Sequence, residues 1–116
     1  MTRPEAADPV GDPFDDLGGY ADASIQILVA LSEGPRHGYA IMTEVERESG
    51  RPMRPGTLYA ALSRLERRGL IEALPASDRR HPYRLTPLGS RTLASALDRL
   101  QALARRGLER LGRSEG

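Results

Sequence analysis

Residues 55–71, PGTLYAALSRLERRGLI, place two kinds of side chain at helical spacing. The apolar positions follow the i, i+3, i+4, i+7 pattern of a buried helix face: Leu58, Ala61, Leu62 and Leu65. The remaining positions hold hydroxyl, phenol and guanidinium groups: Thr57, Tyr59, Ser63, Arg64, Arg67 and Arg68. A guanidinium group is a planar fork of donors that suits phosphate oxygens and guanine edges. The polar face is therefore either solvated or built to contact a polyanion.

Positive charge is concentrated around this stretch. The chain of 116 residues has a formal net charge of only +1. Residues 1–24 hold one arginine and six acids, whereas residues 51–91 hold nine arginines and three acids, a local charge of +6. All 17 basic residues are arginine. An asymmetry of this kind indicates a polyanionic partner.

The sequence gives little support to catalysis or to metal binding. Ser63 and Ser90 have no evident histidine and acid partners, and no glycine-rich phosphate loop is present. The two histidines, His37 and His81, lie in different motifs of a chain without cysteine, so no metal or cofactor site is predicted. No apolar run approaches the roughly 20 residues of a membrane span, and the acidic start lacks the pattern of a signal peptide. We expect a cytoplasmic protein that is not an enzyme.

The predicted elements follow in the order helix, helix, helix, hairpin, helix. Apolar periodicity predicts the first three helices over residues 23–33, 38–49 and 55–68, and glycines end each of them. Alternation with period two predicts strands over residues 70–74 and 83–86, which the polar and basic segment PASDRRHP joins. Thr86 and Pro87 are a helix cap and a first-turn proline, and they open a long helix that reaches about residue 112.

Three short helices followed by a hairpin with a basic tip make a winged helix-turn-helix arrangement. The predicted fold class is mainly α with a small β-hairpin. Residues 1–20, rich in proline, glycine and acids, are predicted to be a disordered arm. Residues 21–86 are then the winged domain, and residues 87–112 are a C-terminal helix for dimerisation.

This arrangement predicts how DNA would be contacted. A helix fits the major groove, where each base pair has its own donor and acceptor pattern, while a hairpin tip reaches the adjacent minor groove. In the third helix, we expect Thr57, Tyr59, Ser63 and Arg64 to face DNA. In the hairpin, the predicted contacts are Arg79, Arg80, His81 and Arg84. Arg67 and Arg68 stand near the helix end, where the helix dipole alone favours cations, so we expect a structural role for them.

The last helix has a heptad pattern of apolar residues. These residues step by four and three: Leu93, Leu97, Leu100, Ala104, Gly107 and Leu111. A chain this small cannot cover so long a stripe by itself. We therefore expect a homodimer through this helix, with Leu93, Leu97, Leu100, Ala104 and Leu111 at the interface. A space lined by the leucines and alanines of the paired helices could accept a small apolar or aromatic effector.

Three motifs resemble the PadR family of transcriptional regulators. They are LSEGPRHGYAI, PGTLYAALSRLERRGLIE and YRLTPLG, and the likeness covers about residues 25–111. The resemblance implies a homodimer with a DNA-binding winged domain, often a repressor that responds to a small molecule. It also implies that Tyr39 lies near the phosphate backbone and adds His37 to the candidate DNA contacts. Packing or hydrogen bonding at the helix start is the alternative for His37.

The sequence departs from the family pattern at two positions. Ala60 replaces the usual proline after the tyrosine of the third helix, and Pro82 stands where the family usually has a basic or aromatic residue. The second departure leaves the wing contacts as the least supported part of the prediction. A winged-helix adaptor that binds proteins is the alternative function, and salt-dependent binding to duplex DNA distinguishes the two.

Overall fold

The computed structural model describes residues 19–75 and 81–115, which form four helices and three short strands. In chain order they are α1 (Gly19–Leu31), β1 (Arg36–His37), α2 (Gly38–Ser49), α3 (Pro55–Arg67), β2 (Ile71–Ala73), β3 (Pro82–Leu85) and α4 (Pro87–Glu115). The predicted winged helix-turn-helix fold is confirmed. Residues 1–18 of the predicted arm lie outside the described residues, as do Arg79 and Arg80 at the predicted wing tip.

The apolar faces of the first three helices meet in one core. The largest fully buried side chains are Ile27, Ile41, Leu58, Leu62 and Ile71. They come from α1, α2, α3 and β2, so the three short helices and one strand share a single core. The stripe that the sequence predicts in the third helix is buried at all four positions. Burial of these side chains holds α3 in place and leaves its polar positions outside.

The turn between α2 and α3 is fixed by local hydrogen bonds. Gly50 ends α2 in the left-handed conformation, at φ 74°, and its N–H donates to the Glu46 carbonyl. The Glu46 carboxylate accepts a hydrogen bond from the Met53 N–H at 2.8 Å. Pro55 then occupies the first turn of α3, where its missing N–H removes no intrahelical bond. The angle between α2 and α3 therefore depends on one glycine, one carboxylate and one proline.

The wing is a three-stranded antiparallel sheet, in the order β1-β3-β2, rather than the two-stranded hairpin that the sequence predicts. Arg36 pairs with Tyr83 and His37 with Pro82 at one edge of β3. On the other edge, Ile71 pairs with Leu85. β1 was missed because two residues are too few to show an alternating pattern. Its pairing attaches the wing directly to the chain that enters α2.

The helix boundaries differ from the prediction at two points. α1 runs from Gly19 to Leu31 rather than over residues 23–33, so the last two residues of the predicted arm belong to this helix. α4 continues to Glu115, beyond the predicted end at Gly112. At 1.5 Å per residue, the 29 residues of α4 span about 43 Å. The helix accounts for much of the 57 Å length of the molecule.

The first turn of α4 packs closely against the winged domain. The Thr86 hydroxyl accepts a hydrogen bond from the Gly89 N–H at 3.0 Å, which confirms the predicted cap. The same hydroxyl donates to the Gly69 carbonyl at 2.6 Å. A Cβ at Gly89 would lie 2.0 Å from the Leu70 carbonyl oxygen, so only glycine permits this approach. α4 therefore leaves the domain in a fixed direction.

Candidate nucleic-acid interface

The outer face of α3 is formed by small polar side chains and one arginine. Thr57, Ser63 and Arg67 are exposed, and the Arg67 Nη1 lies 3.4 Å from the Ser63 hydroxyl oxygen as a weak hydrogen-bond donor. At 3.6 residues per turn, positions 63 and 67 are one turn apart and lie opposite the buried leucines. We expected a structural role for Arg67, whereas its side chain stands on this outer face. Position 67 lies about 180° around the helix from Leu58 and Leu65, so the leucine spacing alone could have placed Arg67 on the outer face.

Tyr59 links α3 to the start of α2. A Cβ at Gly38 would lie 2.8 Å from the Tyr59 hydroxyl oxygen, so the phenol ring packs over a glycine that leaves room for it. The ring nevertheless remains about half exposed, and Tyr39 beside it is 67% exposed. The HGY and GTLY motifs therefore meet in space, with two phenol groups beside the outer face of α3.

Arg64 takes a different direction from Ser63. Its side chain is partly buried, and its Nη2 donates to the Ser24 hydroxyl of α1 at 3.1 Å. One residue turns a helix by about 100°, which carries position 64 from the outer face toward α1. The structure thus places a predicted DNA contact at the junction of α1 and α3.

His37 precedes α2 and leaves its side chain exposed. It occupies the cap position with extended backbone angles, but its ring makes no capping hydrogen bond. The expectation that it packs or hydrogen-bonds at the helix start is therefore wrong. Its backbone belongs to β1, opposite Pro82, and it directly precedes α2, in which Tyr39 is exposed.

The described part of the wing holds an aromatic pair and an ion pair. The rings of His81 and Tyr83 meet edge to face, with centroids 5.2 Å apart. Burial raises the pKa of the Tyr83 phenol, and the negative charge of Glu66 adds to the increase. Arg84 donates to Glu72 at 2.6 Å across the strands. A nucleic acid that uses Arg84 must compete with this carboxylate.

One carboxylate of α2, Glu44, is paired with two arginines. Glu44 lies between Arg36, at 3.9 Å, and Arg47, which is one helical turn away. A hydrogen bond from the Arg47 guanidinium lowers the pKa of the Glu44 carboxyl. Arg36 also donates to the Ala30 carbonyl at 2.8 Å and so ties the loop before α2 to α1. The two arginines at Glu44 are thus already engaged within the chain, whereas Arg67 on the outer face of α3 has only a weak contact with Ser63.

The distal part of α4 exposes a stripe of leucines. The stripe comprises Leu97, Leu100, Leu103, Leu108 and Leu111, and their exposed fractions run from 40% to 70%. Leu93, which we expected at the interface, is only 6% exposed because it packs in the chain's own core. Ala104 is exposed, as expected for an interface position. Leu93 is therefore buried within its own chain, whereas the other residues predicted at the interface lie exposed on the distal part of α4.

Two other classes of site are absent from the described residues. No group of three or more His, Asp or Glu side chains lies close enough to hold a metal ion within residues 19–75 and 81–115. Within the same ranges, no helix is long and apolar enough to cross a membrane.

Residues 27–95 match the Transcriptional regulator PadR-like family. Over 88 residues the chain is 41% identical to an uncharacterized 37.1 kDa protein in transposon TN4556 of Streptomyces fradiae, with 76% of this chain and 26% of that relative covered. The chain thus spans about a quarter of the length of this curated relative.

Two solved structures share the fold. A transcriptional regulator from Clostridium thermocellum is 29% identical, with a TM-score of 0.68, and the match covers 78% of this chain and 89% of that one. A PadR family transcription regulator from hypervirulent Clostridium difficile is 27% identical, with a TM-score of 0.62, over 72% of this chain and 91% of that one.

The fold and the motif positions are thus those of the winged-helix domain of a family of transcriptional regulators. The chain belongs to the PadR-like family, whose members are regulators of transcription and not enzymes.

Proposed function

We propose that the chain is a sequence-specific DNA-binding repressor that acts as a homodimer, with α3 in the major groove. The observation that supports this most strongly is the outer face of α3, where Thr57, Ser63 and Arg67 are exposed together. Hydroxyl and guanidinium groups match the donors and acceptors on base edges in that groove. Membership of a family of transcriptional regulators supports the same function.

In this proposal the base-reading residues are flanked by groups that contact phosphates. Tyr39, Tyr59 and His37 stand at the start of α2 and beside α3, where a phosphate strand bordering the groove would pass. The phosphates of the second DNA strand are contacted from the wing in this proposal, by His81, Arg84, Arg79 and Arg80. Contacts of this kind fix the register of a protein on DNA without reading its sequence.

Arg64 has a positioning role in this proposal. The hydrogen bond from its guanidinium to Ser24 joins α3 to α1, so the angle at which α3 meets DNA depends on that contact. Arg67, which is exposed one turn beyond Ser63, takes over the base contact that the sequence suggested for Arg64.

The exposed leucine stripe of α4 supports the homodimer. Isolated apolar patches on a small chain are covered most readily by a second copy of the same patch, which gives two-fold symmetry. A two-fold dimer presents two α3 helices, so we expect an inverted-repeat operator with half-sites one turn of B-DNA or a multiple apart. The paired α4 helices could hold a small apolar or aromatic effector against Leu97, Leu100 and Ala104, and its binding would release the operator.

The experiment is selection of binding sites from randomised duplex DNA, followed by anisotropy titrations of the selected site and a scrambled one at several salt concentrations. We expect an inverted repeat, a specific affinity at least about a thousandfold above that for the scrambled duplex, and a steep salt dependence. No enrichment, with weak binding independent of salt, would support the protein-binding adaptor instead.

A further inference from the structure

The end of α3 carries a cluster of arginines, which we call the arginine end. It comprises Arg64, Arg67 and Arg68, with Glu66 as the one acid among them, so residues 64–68 have a local charge of +2. Arg67 stands on the outer face of α3. The Arg68 side chain is exposed and makes no hydrogen bond or ion pair within the described parts of the chain. The arginine end therefore presents two exposed guanidinium groups to an anionic partner.

The start of α1 lies against the arginine end. Arg64 donates to the Ser24 hydroxyl at 3.1 Å, and Arg64 and Arg68 line a cavity between α1, α3 and α4 together with Ser24 and Ile25. Gly19, the first residue of α1, precedes Ser24 by five residues, which is about 7.5 Å along the helix axis. The chain that precedes α1 therefore joins the fold close to these arginines.

Residues 1–18, which we call the acidic segment, have the opposite charge. They hold one arginine and five acids, a net charge of −4: Glu5, Asp8, Asp12, Asp15 and Asp16. A chain of 18 residues extends at most about 60 Å, whereas the 13 residues of α3 span about 20 Å. Asp15 and Asp16 are within four residues of Gly19, or about 13 Å when extended. Every guanidinium group of the arginine end is thus within reach of a carboxylate of the same chain.

We propose that the acidic segment binds the arginine end of its own chain, with Asp15 and Asp16 at Arg67 and Arg68. Carboxylates pair with guanidinium groups through two parallel hydrogen bonds. Exposed pairs of this kind are individually weak, but a short covalent connection gives the acids an effective concentration in the millimolar range. The contact is therefore formed within one chain and yields to a stronger polyanion.

This contact competes with DNA, since Arg67 stands on the face that we assign to the major groove. The competition rests on the proposed function, whereas the contact within the chain does not. At a millimolar effective concentration, a contact of millimolar affinity is formed about half of the time or more. Only the open fraction of the chains then binds DNA, so the acidic segment should lower the affinity for a duplex about two- to fourfold.

The first test needs no DNA and uses the absence of lysine from the sequence. Arg68→Lys gives the full chain a single side-chain amine, which a carbodiimide joins to a carboxylate in contact with it. We expect peptide mass spectrometry to find this amine joined to Asp15 or Asp16. The product should be lost at about 1 M salt, where screening acts within about 3 Å. Arg106→Lys, at an exposed arginine on the distal part of α4, is the matched control and should give no more product with the acidic segment than the high-salt sample.

The outcomes separate the occupants of the arginine end. No product with the acidic segment in either Arg67→Lys or Arg68→Lys would overturn the proposal, as would equal yields in Arg68→Lys and Arg106→Lys. In a mixture of isotope-labelled and unlabelled chains, products confined to one chain support the proposal. Products that join a labelled chain to an unlabelled one would assign the arginine end to the acidic segment of a second copy and overturn the contact within the chain.

The second test measures the competition by anisotropy titration of a selected operator. Asp15→Asn combined with Asp16→Asn should raise the affinity about two- to fourfold. Asp98→Asn combined with Glu109→Gln removes the same charge from two exposed positions of α4 and should leave the affinity nearly unchanged. Equal gains in the two double variants would mean that net charge alone is responsible and would overturn the competition. Failure to select any operator would count against the proposed function, and the crosslinks would still decide the contact within the chain.

Discussion

α3 and α4 both leave one face uncovered, and the two faces have opposite chemistry. Around α3 the exposed positions hold hydroxyls, phenols and arginine, including Ser63 and Arg67. Along the free end of α4 the exposed positions are leucines, of which Leu108 is 70% exposed. Both helices bury their inner positions in the same core, so the difference lies only in what each one offers to a partner. A polar cationic face attracts a polyanion, whereas an apolar face is driven out of water and against another apolar surface.

Specific contacts hold the two faces in place relative to each other. Gly89 and Thr86 fix the first turn of α4 on the wing domain, and Arg64 fixes α3 on α1. A second copy on the α4 stripe would therefore set the distance between two α3 helices. Each prediction below changes one of the two faces, or the junction between them.

The largest effect is expected on the apolar face. Leu100→Glu places two like charges near the two-fold axis of the proposed dimer, where burial without a partner is costly. We expect monomers in sedimentation velocity and an operator affinity about 100-fold lower or worse, because the second half-site no longer contributes. Ser95→Glu introduces the same charge at an exposed position on the opposite side of the helix and serves as the control. An intact Leu100→Glu dimer would remove this face from the interface.

The next largest effect is expected where α4 is docked on the winged domain. In Gly89→Ala the new Cβ would lie 2.0 Å from the Leu70 carbonyl oxygen, which is backbone and cannot rotate away. We expect the free energy of unfolding to fall by about 1–3 kcal/mol. Gly112→Ala in the same helix has no atom within 4 Å of its new Cβ and should be neutral or stabilising by up to about 1 kcal/mol. Chemical denaturation measures both, and equal stability of the two variants would mean that α4 is not docked at Gly89.

On the polar face, Arg67→Ala should weaken operator binding by about 1–3 kcal/mol and relax preference at one base pair. Arg47→Ala is the matched control, because Arg47 is exposed on α2 and already paired with Glu44. Arg64→Ala should instead act through the α1 junction and weaken binding to the operator. Because a misplaced α3 affects base reading and not the phosphate contacts, the loss in Arg64→Ala should be larger for the operator than for a scrambled duplex and should not fall on one base pair. Anisotropy titrations with single-base variants of the operator separate these results. An Arg67→Ala chain with unchanged affinity and preference would return Arg64 to the base-reading role.

The smallest effect concerns the wing. Glu72→Gln breaks an exposed ion pair, and we expect a loss of stability of about 0.2–1 kcal/mol. The same change releases Arg84, so duplex affinity should rise slightly and the dependence on salt should steepen by up to about one ion. Weaker DNA binding in Glu72→Gln would mean that the ion pair orients Arg84 for its contact rather than competing with it.

Much of this architecture could be predicted from local signals in the sequence. Pro55 and Thr86 mark helix starts by chemistry that acts within one turn, and the leucine spacing of α3 determines which face is buried. β1 could not be predicted, because its two residues are defined only by pairing with a strand some 46 residues away. Leu93 fits the heptad pattern equally well in a dimer seam and in the chain's own core, and only packing against the winged domain distinguishes them.

The candidate site was harder to predict than the fold. Arg64 and Arg67 have the same chemistry and stand three residues apart, so composition cannot tell which one faces outward. The position of α1 decides this, because Ser24 lies within reach of Arg64. The cavity between α1, α3 and α4 also has no sequence signature, since its lining comes from separate parts of the chain.

The most direct test of the central claim is the spacing of half-sites in the selected operator. A dimer joined through α4 holds its two α3 helices on one side of the duplex, so insertion of five base pairs rotates one half-site by about half a turn. We predict that this insertion nearly abolishes specific binding. Insertion of ten base pairs returns both half-sites to the same side of the duplex and should recover part of the affinity. Equal affinities for the original operator and the five-base-pair insertion would contradict the account, because the chain could not then be reading DNA with two coupled α3 helices.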